Sequence, residues 1–153
     1  MAKSLIAYDI IEVMNNCVFC TIPIDEPDRL IKQFQHWTLI LQLPEKLKLA
    51  RQAAGLLISN RHIECPSDAT EEEFAEAATI IKESARLLCE KVGSTYTDQK
   101  VVGFNQGSEA GQTIFHAHIH ILPIAEEDEP EMKVRAGIGG AFEALRRERM
   151  KQP

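Results

Sequence analysis

Apolar positions along the chain recur in two ways. Most recur at short, strand-like spacing, and one long stretch recurs at helical spacing. Residues 37–43, W-T-L-I-L-Q-L, and 56–59, L-L-I-S, read as buried strands, the first stopping at Pro44. Residues 31–34, 100–105 and 114–122 add three more, the fourth broken by Gly103 and the last ending at Pro123. Between them, Phe74, Ala77, Ala78, Ile81, Ala85, Leu88 and Val92 recur at the period of one helix face. Thr70 with Glu73 forms a capping box, Glu71–Glu73 suit the positive end of the dipole, and Gly93 supplies the stop. The pattern predicts an α+β domain: an antiparallel five-stranded sheet with one long helix. Short flanking helices are expected at residues 4–15, 45–54 and 141–150, a loop around Pro23 and Pro27, and a flexible turn at 137–140. Residues 1–16 thus form an N-terminal helical extension, 17–125 the main domain, and 126–153 an acidic loop and a terminal helix.

Composition narrows the function. At 153 residues the chain is long enough for a core of its own, and a formal net charge of -6 argues against a nucleic-acid binder. No apolar run is long enough to span a bilayer. Asp9 and Glu12 interrupt the one opening stretch that resembles a signal peptide, so a cytoplasmic protein is expected. In a reducing compartment the Cys17-Val18-Phe19-Cys20 pair suits a metal clip or redox pair better than a structural disulfide. Cys65 and Cys89 read as packing residues and His36 as a solvated strand-edge histidine. Phe19, Ile22 and Leu39 suit either a base pocket or the core.

Chemistry concentrates in residues 105–123, N-Q-G-S-E-A-G-Q-T-I-F-H-A-H-I-H-I-L-P. On a strand, His116, His118 and His120 share one face at roughly 6.5–7 Å intervals, while Ala117, Ile119 and Ile121 face a core. Chance is a poor account of three alternating histidines beside a polar loop with two glycines. Imidazole is a common metal ligand, but three alternate positions span about 13 Å, so one ion takes two neighbours more easily than three. The remaining reading is nucleophilic catalysis. The middle imidazole attacks phosphorus, a neighbour holds or delivers a proton, and Gln112, Thr113 and loop N–H groups meet the charged oxygens.

The run His116-Ala117-His118-Ile119-His120-Ile121-Leu122 resembles the signature of the histidine triad (HIT) family, His-φ-His-φ-His-φ-φ, with φ apolar. The resemblance extends upstream through Asn105, Gly107, Gly111, Gln112 and Thr113, and to the early C-x-x-C and His62. It implies a HIT-like fold, with the sheet extended across a homodimer. The implied activity is hydrolysis or transfer at the α-phosphate of a nucleoside phosphate conjugate, a phosphoramidate or dinucleoside polyphosphate, through a nucleotidyl-histidine intermediate on His118. His120 would contact the phosphate, and Asn105, Gly111, Gln112 and Thr113 would position phosphate and leaving group. The resemblance also implies one structural zinc on Cys17, Cys20, His62 and His116, and no organic cofactor. As a zinc ligand, His116 could not also serve as a catalytic proton shuttle.

Two departures from the family pattern bear on the nucleoside. Aligning on Pro44 puts Leu41 where the family has an Asp that binds ribose hydroxyls, and residues 45–54 are longer than usual, with Ala54-Gly55 in place of a Gly-His pair. They lend weight to a competing expectation, a catalytically weak nucleotide-binding protein with a regulatory or interaction role. A third makes the triad itself a metal-dependent site.

Overall fold

The computed structural model of the chain describes residues 16–42 and 53–128. The helices expected at 4–15 and 141–150, and nearly all of 45–54, lie outside the described residues, as does the turn at 137–140. Helix α1 (Val18–Asp25) and a 3-10 turn (Pro27–Arg29) lead into strands β1 (Leu30–Gln33), β2 (Trp37–Leu41) and β3 (Gly55–Ser59). A second 3-10 turn (Pro66–Asp68), the long helix α2 (Glu71–Val92), β4 (Tyr96–Gly103) and β5 (His118–Ala125) follow. The five strands form one sheet in the order β1-β2-β3-β5-β4, with every neighbouring pair antiparallel. The expected fold class is therefore the one observed.

Strand alternation divides the sheet into two apolar faces. On one side Trp37, Leu39, Leu57, Ala117, Ile119 and Ile121 pack against Ala77, Ile80, Ala85 and Leu88 of α2. On the other, Ile40, Leu56 and Ile58 meet Phe19 and Ile22 of α1, with Cys17 and Ile114 at the edge. The helix approaches β3 closely at Gly55, where a Cβ would lie 2.5 Å from Leu88 Cδ2 and 2.9 Å from the Ile40 carbonyl oxygen. Only a residue without a side chain fits there.

Helix α2 starts and stops where its capping residues predict. Glu73 N–H donates to Thr70 Oγ1 at 3.2 Å, Thr70 N–H donates to Glu73 Oε2 at 2.8 Å, and Gly93 takes φ +73°. Its buried stripe is offset from the predicted one, running through Glu73, Ala77, Ile80, Ser84, Ala85, Leu88 and Cys89. Phe74 is 44% exposed. Glu73 turns inward because its carboxylate closes the capping box and clamps Arg61, with Nε to Oε1 and Nη2 to Oε2 both at 2.9 Å. The Trp37 indole N–H donates to the Glu73 carbonyl at 2.7 Å, fixing the same turn from the sheet side.

Three boundaries differ from expectation. Residues 18–25 are helical despite Pro23, because Phe19 and Ile22 anchor that turn in the second apolar cluster. Strand β4 begins at Tyr96, ahead of the expected residue 100. A register break between Tyr96 and Gln99, with Asp98 at φ +61°, hides the alternation there. Strand β5 begins at His118 and runs through Pro123 to Ala125. Past Ile121 it is paired only with β4, so a proline without an N–H is tolerated on its open side.

Candidate functional site

The histidines converge on the α1 side of the sheet, where Phe19 meets His116 edge-on at 5.9 Å between centroids and His118 at 5.1 Å. His118 and His120 lie in β5, opposite Ile58 and Leu56 of β3, with their rings 5.2 Å apart. His116 sits just before the strand, in a segment tied down by the Ala117 N–H donating to Ile63 O at 2.6 Å and the Ser59 N–H donating to Ala117 O at 3.1 Å. The three therefore do not stand on one regular strand.

Each imidazole is set by a different neighbour. The Nδ1 of His118 is 2.7 Å from the carbonyl oxygen of His116. A carbonyl can only accept, so Nδ1 carries the proton and Nε2 keeps its lone pair. Burial lowers the pKa of His118, against the raising effect of that hydrogen bond, which favours the neutral ring. His118 is 8% exposed. In His116 the arrangement is reversed. Its Nε2 donates to the Ser59 carbonyl at 2.7 Å, leaving Nδ1 bare. Burial foremost, then His62 and His118, takes it down to about 4. His120 is also pushed down to about 4, by burial and then by His118.

The bare Nδ1 of His116 points into a cluster with Cys17, Cys20 and His62, whose candidate ligand atoms all lie within 4.8 Å of one another. It is 3.4 Å from Cys17 Sγ, 3.5 Å from Cys20 Sγ and 3.2 Å from His62 Nδ1, and Cys20 Sγ is 3.3 Å from His62 Nδ1. A tetrahedral zinc with ordinary Zn–S and Zn–N bonds spaces its ligand atoms roughly 3.3–3.8 Å apart. The four spacings just given, 3.2–3.5 Å, lie at the short end of that range or just below it, and the Ser59 carbonyl supplies the outer hydrogen bond that orients a ligating imidazole. With protons alone, burial and the Cys17 thiol push Cys20 up to about 12; a bound dication inverts that preference and favours thiolate. The four residues fit a Cys₂His₂ metal site.

Upstream of the triad, the 105–113 loop turns on Gly107 and Gly111, at φ +87° and +93°. Asn105 and Gly111 are half-buried, and Thr113 is exposed. Gln112 is 4% exposed and turned inward. The nucleoside side departs most from expectation. Leu41 and Leu39 both pack in the helix-side cluster, on the face opposite His118 and His120. Neither a ribose-binding residue at 41 nor a base-lining Leu39 is compatible with that placement. Phe19 and Ile22 do lie on the histidine side. Gln42, the residue after β2, falls by alternation on the register of Ile40; its N–H donates to Ala54 O, and its Oε1 is buried without a hydrogen-bond partner. Alignment on Pro44 points one position earlier, to Leu41, whereas alternation from Ile40 singles out Gln42. The Ser59 carbonyl that orients His116 leaves no side-chain signal at all.

The HIT domain family profile matches residues 28–127. Protein hit of Bacillus subtilis is 30% identical over 112 residues, covering 71% of this chain and 70% of that protein. A hypothetical histidine triad nucleotide-binding protein from Sulfolobus tokodaii superposes with a TM-score of 0.58 at 29% identity, over 76% of this chain and 74% of its own. A zinc-bound histidine triad family protein from Mycobacterium smegmatis shares the fold, with a TM-score of 0.59 at 24% identity, over 91% and 99% of the two chains. The profile spans most of the chain, and the chain belongs to the histidine triad family.

Proposed function

We propose that the chain is a nucleotide hydrolase or transferase that cleaves at the α-phosphate of a nucleoside phosphate conjugate, a phosphoramidate or a dinucleoside polyphosphate. One observation carries the reading: His118 donates Nδ1–H to the His116 carbonyl and so keeps a lone pair on Nε2. Nε2 attacks phosphorus, the bond from phosphorus to the leaving nitrogen or oxygen breaks, and the leaving group departs with a proton drawn from solvent. Water, or another acceptor, then displaces the histidine and restores it. His120, whose ring neighbours that of His118, contacts the phosphate. Asn105, Gly111 and Thr113 belong to the loop that receives the phosphate oxygens, with Gln112 among them. Phe19 and Ile22 offer an apolar wall on the same side. The Sulfolobus relative is described as a hypothetical nucleotide-binding protein, which is in keeping with this substrate class.

Cys17, Cys20, His62 and His116 would hold one structural zinc, which when bound crosslinks the start of α1 to the segment before β5. His116 is then a ligand and not a proton shuttle. A homodimer would join the two sheets through the open edge of β4. Among the described residues no helix is long and apolar enough to cross a membrane.

His118→Ala is expected to abolish hydrolysis of adenosine 5′-phosphoramidate without unfolding the protein, and brief exposure of the parent chain to substrate should leave a nucleotidyl adduct on His118. Unchanged turnover by the variant would refute the assignment. Nucleotide binding with no adduct would instead support a binding protein.

A further inference from the structure

We infer that Gln112 is a positioning residue that fixes the shape of the 105–113 loop and makes no contact with the substrate. The inference rests on the proposal that this loop receives a phosphate. A glutamine amide has four hydrogen-bonding places, two lone pairs on Oε1 and two hydrogens on Nε2. All four are taken. The Gly107 N–H donates to Oε1 at 2.8 Å, and the Cys65 thiol donates to the same oxygen at 3.5 Å. Nε2 donates to the Glu64 carbonyl at 2.7 Å and to the Ile114 carbonyl at 3.1 Å. The side chain is 4% exposed and has nothing left to offer a phosphate oxygen.

Those partners come from three places in the chain. Glu64 and Cys65 precede α2, Gly107 opens the loop, and Ile114 leads into the histidines. Backbone bonds close the turn from within, with Gln112 N–H donating to Gly107 O at 3.1 Å and Gly111 N–H to Ser108 O at 3.0 Å. A third bond, from the Ser67 hydroxyl to Gln106 Oε1 at 2.6 Å, also ties the loop to the 64–68 segment. Two positive-φ glycines make this turn possible but leave it pliable; the buried amide holds it in one form. Contacts to the substrate then fall to Thr113 and to loop N–H groups other than those of Gly107, Gly111 and Gln112, which already donate within the loop.

Gln112→Met keeps the length of the side chain and removes all four bonds. In that variant the Gly107 amide should exchange with solvent at least tenfold faster than in the parent chain. The affinity of the folded protein for adenosine 5′-monophosphate should fall about tenfold or more, a loss that a merely stabilising role would not produce. In the parent chain, nuclear magnetic resonance should show the Gln112 side-chain N–H₂ exchanging slowly and unmoved by adenosine 5′-monophosphate, while the Thr113 amide shifts. The inference is overturned if the nucleotide moves the Gln112 side-chain signals as much as Thr113. It is also overturned if folded Gln112→Met keeps either the Gly107 protection or the parent affinity. Should that variant not fold, the side-chain signals of the parent chain decide the matter. If the parent chain binds no nucleotide, the nucleotide reading fails instead, and Gly107 exchange alone decides whether Gln112 shapes the loop.

Discussion

Glu73 joins the long helix to the segment that carries His62, and removing its carboxylate tests that joint. Its oxygens accept from the Thr70 N–H and from both Arg61 nitrogens. Glu73→Ala loses one half of a capping box and the whole ion pair. Losing a cap typically costs ~1 kcal/mol. The Arg61 side chain is 53% exposed, so solvent screening holds the pair to ~0.2–1 kcal/mol. The sum is roughly 1–2 kcal/mol, which for a chain of this size lowers Tm by about 3–8 °C. The pH dependence has a definite sign. Hydrogen bonds from Arg61 first, then from Thr70, bring the Glu73 carboxyl down to about 2, below its ordinary 4.5. A depressed carboxyl stabilises the fold fully above the unfolded value and loses that contribution as pH falls toward the folded one. The gap between the parent chain and Glu73→Ala in thermal or urea melts should therefore be full at pH 7 and narrow between about pH 4.5 and 2. Equal melting at pH 7, or a gap that does not change with pH, would refute the reasoning.

Two further outcomes follow from the geometry. Metal analysis should find one zinc per chain; a strong chelator should lower Tm by about 8–16 °C if zinc is normally present at roughly a thousand times its dissociation constant, and Cys20→Ser should abolish that shift. Leu41→Asp should lower Tm by several degrees without tightening nucleotide binding, because that side chain packs on the helix side of β2; a gain in affinity in a nucleotide titration would show that the position faces the ligand after all.

The fold was legible where local chemistry and packing agree. Thr70, Glu73 and Gly93 bound a helix by capping, and Trp37 to Leu41 form a strand by composition, so both could be read without knowing their neighbours. Reading failed where tertiary contacts override local preference. Pro23 signals a loop, yet Phe19 and Ile22 gain enough from burial to keep that turn helical. Pro123 signals an end, yet β5 continues because only its β4 side needs hydrogen bonds there. Asp98 interrupts the alternation of β4 and hides its first turn of pairing. At the site the same limit applies. Spacing shows which residues can share a face, while the roles of Gln112 and Gln42 depend on whether partners elsewhere in the chain use up their amides.

The three histidines make the point most sharply, because spacing presents them as equivalents and their carbonyl partners do not. Ser59 O accepts a hydrogen bond from Nε2–H of His116 and leaves Nδ1 facing the cysteine cluster. His116 O accepts a hydrogen bond from Nδ1–H of His118 and leaves the Nε2 lone pair free for the proposed attack on phosphorus. One residue thus serves two sites, with its ring in the metal cluster and its backbone on the proposed nucleophile. A zinc bound by that ring would fix the carbonyl that sets the tautomer and aim of His118, although it never meets the substrate. Loss of metal should therefore be felt at His118 as well as in the melting temperature. The route is a single peptide unit, held at one end by the ring of His116 and at the other by the hydrogen bond between Ala117 and Ile63.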